Sequence, residues 1–471
     1  MGFLRILRPL VVMALSIASG LVRAQRTAHD SIASEPPVLL RIAPVPVPDP
    51  QIPGFHFPET EATVTSWITA GAFDQIALHG WGLWTALTAP SGQVYERQAL
   101  RVFETWLTPQ DLLAHLDATS STELGQLPRR LRSVGQLDQL RGRPALALND
   151  RLGGYVKFDP TAADHVLRQG LLRLSTLQTL LDGGAAQVPP FPASTLVVKP
   201  IFQIVPAASL VEGRYFELKV WEGPPRLPQA LTPQQWPHAV WVDLFGGGAD
   251  SGEIDTDPAS DGSSRTDATT YPLNSFLSFR LSAADAAGFD ADRPGINAAA
   301  GDLALLVGMH VAGRETVRWT WQTFWWTPAP DTPPAPSSSL IARARPAQLN
   351  GAPRHYAMAI AYAMELPAQP VVGGQNAAPA LYAYNPWIEA AFTPADLPDS
   401  EPGLDASGLA VPNNVGVQSN CMSCHARATF DPRSLATAPR FSGARYTDLA
   451  DPQFAGTLQV DFLYSLPRSA Q

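Results

Sequence analysis

The two cysteines of this 471-residue chain lie together near its C-terminal end, in the segment Cys421-Met-Ser-Cys-His425. Only 46 residues follow His425, and they contain neither methionine nor histidine. A segment this short has too little apolar surface to form a core of its own. We therefore expect the residues around 421–425 to pack on the larger region before them, which would enclose any group that the segment binds.

The spacing Cys-x-x-Cys-His is the attachment signature of c-type haem. Two thiols at this spacing can form thioether bonds with the two haem vinyl groups when the segment is helical. The histidine then lies where its imidazole can bind the iron. The sequence therefore predicts one covalent haem c attached through Cys421 and Cys424, with His425 as the proximal ligand of the haem iron.

Three other interpretations of the two cysteines are weaker. A redox-active dithiol would follow an early strand, whereas this motif comes after 420 residues and a loop rich in Pro, Gly and Asn. A zinc site would need more thiol or imidazole ligands, and none of the other eight histidines clusters with the motif in sequence. A structural disulfide is the third alternative. The histidine directly after the second cysteine favours haem.

The motif resembles that of c-type cytochromes, and the resemblance is confined to it. Small soluble cytochromes c carry Cys-x-x-Cys-His near the start of a domain, and a later methionine completes the iron coordination. This chain departs from that pattern because no methionine follows the motif. The segments 308–311, 321–325 and 419–425 carry a looser similarity to large secreted bacterial proteins of uncharacterised function, which implies no activity.

The second axial ligand therefore comes from upstream, or the iron has an open site. His310 follows Met309 on a predicted strand, so the two side chains point to opposite faces. We expect His310 or Met358 to be the distal ligand. Protein ligands on both sides suit electron transfer, whereas an open site would allow peroxidase or oxygenase chemistry with His310 or Arg318 as the acid–base group.

The N-terminus has the pattern of a secretory signal peptide over residues 1–24: Arg5 and Arg8, then an apolar stretch, then Val22-Arg23-Ala24. Its removal takes away three arginines and no acid, which moves the net charge from −9 to −12. We expect the chain in the periplasm or secreted, without an integral membrane segment. An acidic chain is not steered to nucleic acid, but it can be steered to a basic redox partner protein.

The expected fold class is α+β. A proline-rich lead-in (25–60) precedes a β-rich mixed region (61–330), a proline-rich linker (327–338) and a small, loop-rich, partly helical haem c segment (340–471) packed on that region. Helices are predicted at 109–117 and 162–182, strands at 215–221 and 238–245, and a hairpin at 303–311 and 317–326. Residues 356–364 alternate large side chains with alanine and fit a strand or a helix.

Two further segments have a structural and a functional interpretation. Trp319, Trp321 and Trp325 are expected in the core, or in a wall of the haem pocket. Residues 385–389 are expected to form a structural turn into a helix, or a turn near the haem. The predicted function is an exported monohaem c-type cytochrome. The alternatives are a haem c-dependent oxidoreductase with a small-molecule substrate and a haem-based sensor or binding module.

Overall fold

Helices and strands alternate along most of the chain. The computed structural model describes residues 42–117, 151–292, 297–365, 369, 373–374, 379–394, 396–397, 403–404, 410–411, 415–433 and 445–470. These residues belong to one compact unit. The predicted signal peptide and the lead-in before residue 42 lie outside the described residues.

The helices are short, and most contact the sheets. In chain order they are α1 Glu61–Ala70, α2 Phe73–Thr88, α3 Pro109–Asp117, α4 Pro160–Gln169, α5 Leu174–Asp182, α6 Ala283–Asp292, α7 Ser339–Arg343, α8 Cys421–His425 and α9 Ser465–Ser469. Within the described ranges, no helix is both long enough and apolar enough to cross a membrane.

The strands form one large antiparallel sheet and several small ones. They are β1 Pro90–Tyr95, β2 Gln98–Arg101, β3 Leu152–Gly154, β4 Lys157–Phe158, β5 Leu196–Val205, β6 Tyr215–Lys219, β7 Ala239–Asp243, β8 Thr270–Pro272, β9 Ser278–Arg280, β10 Leu303–Gly313, β11 Thr320–Trp326, β12 Tyr356–Ala361, β13 Gly403–Leu404, β14 Ala410–Val411, β15 Thr429–Phe430 and β16 Leu458–Gln459. The central sheet has the order β12-β11-β10-β5-β3, with β4 paired to β5 and β9 to β10. The predicted α+β class is confirmed.

The predicted hairpin is the middle of the central sheet. Strands β10 and β11 pair antiparallel, with Met309 opposite Phe324 and His310 opposite Thr323. Strand β11 begins at Thr320, later than predicted, because Trp319 has a positive φ of 63° and cannot continue an extended strand. The predicted strands around 215–221 and 238–245 are also present, as β6 and β7, and pair with each other.

The predicted helix at 109–117 is confirmed as α3, whereas the predicted helix at 162–182 is wrong as a single element. It divides into α4 and α5 at Gly170, which has φ 63° and caps α4 by donating its N–H to the carbonyls of Leu167 and Val166. Glycine adopts this left-handed conformation without the steric cost that other residues pay. The leucine periodicity therefore runs across two helices.

Helix α2 covers one face of the central sheet. Trp84 stacks on Phe324 of β11 with ring centroids 4.3 Å apart, and Trp81 lies 5.7 Å from the same ring. Met358 of β12 belongs to this face, because a Cβ on Gly80 of α2 would lie 2.7 Å from its sulfur. These aromatic and methionine contacts bury most of this side of the sheet, and Ile360 of β12 keeps some accessible surface.

The alternating segment at 356–364 begins as a strand, β12, which pairs antiparallel with β11. Strand pairing resolves the ambiguity of the sequence because the edge of β11 offers hydrogen bonds that an alanine-rich helix would leave unused. The alanines of β12 lie on the face opposite α2, since Ala361 is paired with Trp321. The proline-rich segment 327–338 packs on the rest of the unit, and Trp221 donates its indole N–H to the carbonyl of Ala335.

Candidate functional site

The predicted haem motif forms the one-turn helix α8, which is held at its start by Asn420. The Asn420 side-chain oxygen accepts hydrogen bonds from the N–H groups of Met422 (3.0 Å) and Ser423 (3.3 Å). Its amide nitrogen donates to the carbonyls of Ala363 (3.1 Å) and Leu381 (2.9 Å). Asn420 is completely buried. One side chain therefore caps the helix and ties it to the segment that follows β12.

The imidazole of His425 is oriented by a backbone carbonyl and by an aromatic ring. Its Nδ1 lies 2.7 Å from the carbonyl oxygen of Phe462. A carbonyl can only accept, so Nδ1 carries the hydrogen and Nε2 keeps its lone pair. The indole of Trp321 lies on the other side of the ring, with centroids 4.2 Å apart. His425 is thus held in the tautomer that metal-binding histidines use.

His425 also lies deep enough to stay neutral. Burial lowers its pKa to about 4, although its side chain keeps some accessible surface where it faces a cleft. A neutral imidazole is the form that binds a metal ion. The ring is therefore competent as a ligand throughout the neutral range.

A mainly apolar cleft opens beside α8, with about 1050 Å³ of empty space when its mouth is included. Cys421, Cys424 and His425 line it from α8. Its other walls come from β5, β10, β11 and the C-terminal segments, with Val156, Val197, Val198, Lys199, His310, Ala312, Trp321, Ala383, Glu389, Phe392, Leu397, Ser419, Asn420, Leu463, Tyr464 and Ser465. A cleft with apolar walls and a few polar groups is typical of a cofactor or small-molecule site.

His310 lies on the wall formed by β10, and it is close enough to His425 to lower the pKa of that residue. Its Nε2 is buried without a hydrogen bond among the described residues and lies 3.4 Å from Oε1 of Glu389. Burial opposes ionisation of Glu389, but His310 and the N–H of Asn385 outweigh it, so the pKa of Glu389 is below its usual value. A carboxylate therefore faces the His310 imidazole.

The environment of Cys421 does not favour a reactive thiolate. Burial raises the pKa of Cys421 well above its usual value, and the nearby carboxylate of Glu389 adds to the shift. Thioredoxin-like cysteines instead have lowered pKa values. The Cys421 sulfur donates to the carbonyl of Ala383 at 3.2 Å, and neither cysteine forms a disulfide.

Met358, the other predicted distal ligand, and Arg318, the other predicted acid–base group, lie away from the cleft. Met358 and Met309 belong to the α2 face of the sheet, since they flank Phe324 in the strand register. Met364 accepts a hydrogen bond from the N–H of Thr447. Arg318 is buried beneath a second recess, where it donates to the carbonyl of Thr447 (2.8 Å). Of the two predicted distal ligands, only His310 lines the cleft.

Two cleft residues were not predicted. Glu389 was part of a segment interpreted mainly as a structural turn, and Lys199 lies opposite His310 in the pairing of β5 with β10. The only sequence signal for Glu389 and Lys199 is that each is a charged residue within an otherwise apolar stretch. The described residues contain no group of three or more His, Cys, Asp or Glu that could hold a metal ion by themselves.

The cleft and the two histidines and two thiols that line it are thus the features on which a function can be argued. The lining residues fit a haem group, because the thiols and Nε2 of His425 belong to one cleft with apolar walls. Comparison of the chain with protein-family models, curated proteins and solved structures gave no match.

Proposed function

We propose that the chain is an exported monohaem c-type cytochrome, which transfers electrons through a haem c bound by Cys421, Cys424 and His425. The proposal depends on one observation: the two thiols and the His425 imidazole line the same cleft as His310. His425 and His310 would be the residues of this cleft that could hold the iron of a bound haem. The predicted signal peptide places this chemistry in the periplasm or outside the cell.

When bound, haem c supplies a one-electron couple whose potential is tuned by its axial ligands and by burial. The chain orients and encloses it. Phe462 and Trp321 hold the His425 imidazole from two sides. The apolar walls, including Phe392 and Leu463, exclude water. A second histidine in place of the usual methionine implies a lower reduction potential. The acidic character of the chain suits a basic partner protein.

The covalent attachment is tested by replacing Cys421 and Cys424 with serine, singly and together. We expect the double variant to carry no covalently attached haem. The measurement is the mass of the denatured chain, which retains only covalently bound haem. Met422→Leu is the matched control, since Met422 is buried between the two cysteines but has no role in attachment. Haem that stays on the denatured double variant would contradict the proposal.

A haem c-dependent oxidoreductase is the second candidate. The contact between Glu389 and His310 favours it, because a histidine paired with a carboxylate beside the iron can accept and return a proton. In this case His310 would serve as the acid–base group, and the bound haem would supply the chemistry with a small molecule such as a peroxide.

The spectrum of the reduced protein with and without carbon monoxide separates the two candidates. We expect the wild-type protein to bind carbon monoxide slowly or not at all, and His310→Ala to bind it rapidly. Met358→Leu is the control and should behave as the wild type, because Met358 is on the opposite face of the sheet. Rapid binding by the wild type would favour the oxidoreductase. An unchanged spectrum in His310→Ala would exclude His310 as the ligand.

A further inference from the structure

A second group of titratable side chains is buried on the α2 face of the central sheet, away from the cleft. The hydroxyl of Tyr362 lies 2.6 Å from Nδ1 of His79 and 2.6 Å from the amide nitrogen of Gln322. Nε2 of His79 lies 3.0 Å from Oε1 of Glu315. The side chains of His79 and Glu315 are 1% and 0% exposed. We call these four residues the Tyr362 network.

The surroundings determine where each proton of the network lies. Glu315 accepts hydrogen bonds from the N–H of Glu59 (2.8 Å) and the hydroxyl of Thr320 (3.0 Å). Nε2 of His79 lies within ion-pairing distance of this carboxyl group but forms no hydrogen bond in the part of the chain that the structure describes. In the tautomer with the hydrogen on Nε2, next to the carboxyl group, Nδ1 is the acceptor. The Gln322 amide nitrogen can only donate to the Tyr362 oxygen, so in this tautomer the Tyr362 hydroxyl donates to Nδ1 of His79. The phenol proton therefore points at a base.

This arrangement is what the one-electron oxidation of a phenol requires. Loss of an electron makes the phenol proton strongly acidic, so a base within hydrogen-bond distance must take it up. Burial raises the pKa of Tyr362 well above its usual value, and Glu315 adds to this, so the phenol stays protonated until an electron leaves. Two buried atoms of the network, Nε2 of His79 and Oε1 of Gln322, have no hydrogen-bond partner among the described residues, which is costly in a buried site.

We propose that Tyr362 is a redox-active tyrosine, which gives one electron to a strong one-electron oxidant while its phenol proton moves to Nδ1 of His79. The O–H bond of Tyr362 breaks and an N–H bond forms on His79. The resulting imidazolium faces the carboxylate of Glu315, which stabilises its charge. The neutral tyrosyl radical that remains takes back the electron and the proton when it is reduced.

The network is connected to the cleft through the sheet. Gln322 follows Trp321 in β11, so the two side chains lie on opposite faces, and Trp321 contacts His425. In the other direction, the ring of Trp67, which is partly exposed, lies 5.7 Å from His79. The use of Tyr362 as an electron donor to the cleft rests on the proposed haem function, with a peroxide as the source of the oxidising equivalent. The oxidation of Tyr362 with proton transfer to His79 does not depend on the proposed haem function.

Tyr356 provides an internal comparison. It is completely buried at the start of β12, which ends one residue before Tyr362, but its hydroxyl donates to the carbonyl of Leu306 at 2.7 Å rather than to a base. Its phenol proton has no titratable acceptor at that contact, so oxidation of Tyr356 should be unfavourable. Replacing either tyrosine with phenylalanine removes one buried hydroxyl, which makes the two variants well matched.

The test uses photogenerated tris(bipyridine)ruthenium(III) as the oxidant and electron paramagnetic resonance of flash-frozen samples as the readout. We expect a tyrosyl radical in the wild-type chain and in Tyr356→Phe, and none in Tyr362→Phe. His79→Gln should slow radical formation by about 100-fold, the lower end of what a positioned base contributes. Circular dichroism and thermal melting establish that each variant is folded. If His79→Gln does not fold, slower radical formation by the wild type in heavy water tests the same proton transfer.

A radical that persists in Tyr362→Phe, no radical in the folded wild type, or unchanged kinetics in folded His79→Gln would each overturn the proposal. No solvent isotope effect would overturn it as well. The ruthenium oxidant does not act through haem, and the haem content of each sample is measured separately by mass. The same experiment on the Cys421→Ser/Cys424→Ser chain therefore separates failure of this proposal from failure of the proposed function.

Discussion

Replacing Asn420 with alanine should be among the most damaging single changes near the cleft, because one side chain makes four hydrogen bonds. Loss of the helix cap costs about 1 kcal/mol. The amide nitrogen also donates to the carbonyls of Ala363 and Leu381, and each lost bond at this buried site costs about 1 kcal/mol or more. We therefore expect the free energy of unfolding to fall by about 3 kcal/mol, measured by urea denaturation followed by tryptophan fluorescence.

Two further variants separate the contribution of the helix cap from that of the hydrogen bonds to the carbonyls of Ala363 and Leu381, which we call the tether. Asn420→Ser keeps an oxygen that can cap the helix but cannot reach the two carbonyls, so it should lose about 2 kcal/mol. Ser338→Ala is the control, because Ser338 caps α7 by accepting the N–H of Ile341 and has only the capping role; it should lose about 1 kcal/mol.

The test is the order of the three losses in the free energy of unfolding. An Asn420→Ala variant within about 0.5 kcal/mol of the wild type, in the range of an ordinary surface substitution, would refute it. Equal losses in the alanine and serine variants of Asn420 would show that the helix cap contributes nothing, and no loss in the serine variant would show that the tether to the segment after β12 contributes nothing. As a second readout, we expect less covalent haem per chain in Asn420→Ala, since α8 is no longer held against that segment.

Two other predictions concern stability. The guanidinium of Arg214 holds the pKa of Asp243 below its usual value, so the ionised Asp243 should stabilise the fold above about pH 4 and cease to do so in stronger acid. Asp243→Asn should therefore melt at a lower temperature than the wild type at neutral pH, and this difference should shrink as the pH falls. A difference in melting temperature that stays constant with pH would contradict the prediction. A Cβ on Gly416 would overlap the carbonyl oxygen of Glu389, so Gly416→Ala should lose about 1–3 kcal/mol in urea denaturation. Gly80→Ala is the comparison variant and should lose less unfolding free energy than Gly416→Ala, because the atom nearest to the added Cβ is the flexible end of a methionine. A larger loss in Gly80→Ala than in Gly416→Ala would contradict this prediction.

Local sequence signals predicted many of the elements. Pro109 at the first helical position marked the start of α3, and the apolar runs on either side of residues 312–315 predicted the hairpin of β10 and β11. The same signals failed at Gly170, where a leucine periodicity that looked continuous is divided by a left-handed glycine cap. Periodicity reports which face of a helix is apolar, but it does not report where the backbone turns.

Strand pairing decided what local preference left open. The segment beginning at Tyr356 alternates like a strand and is rich in alanine like a helix, and the free edge of β11 selects the strand. The same pairing puts Met358 on the α2 face and leaves the alanines of β12 on the face of Trp321. One step along a strand changes the face of the sheet, so the roles of neighbouring residues depend on register.

By itself, the sequence determined which chemistry to expect of Cys421, Cys424 and His425, because that expectation needs only residues adjacent in the chain. The tertiary structure alone decided that His310 lines the same cleft and that Met358 does not. It also brought Glu389 to His310, Asn420 to the end of β12, and Tyr362 to His79. These partners are far apart in sequence, and only the packing of strands, helices and loops in three dimensions brings them within hydrogen-bonding or ion-pairing distance.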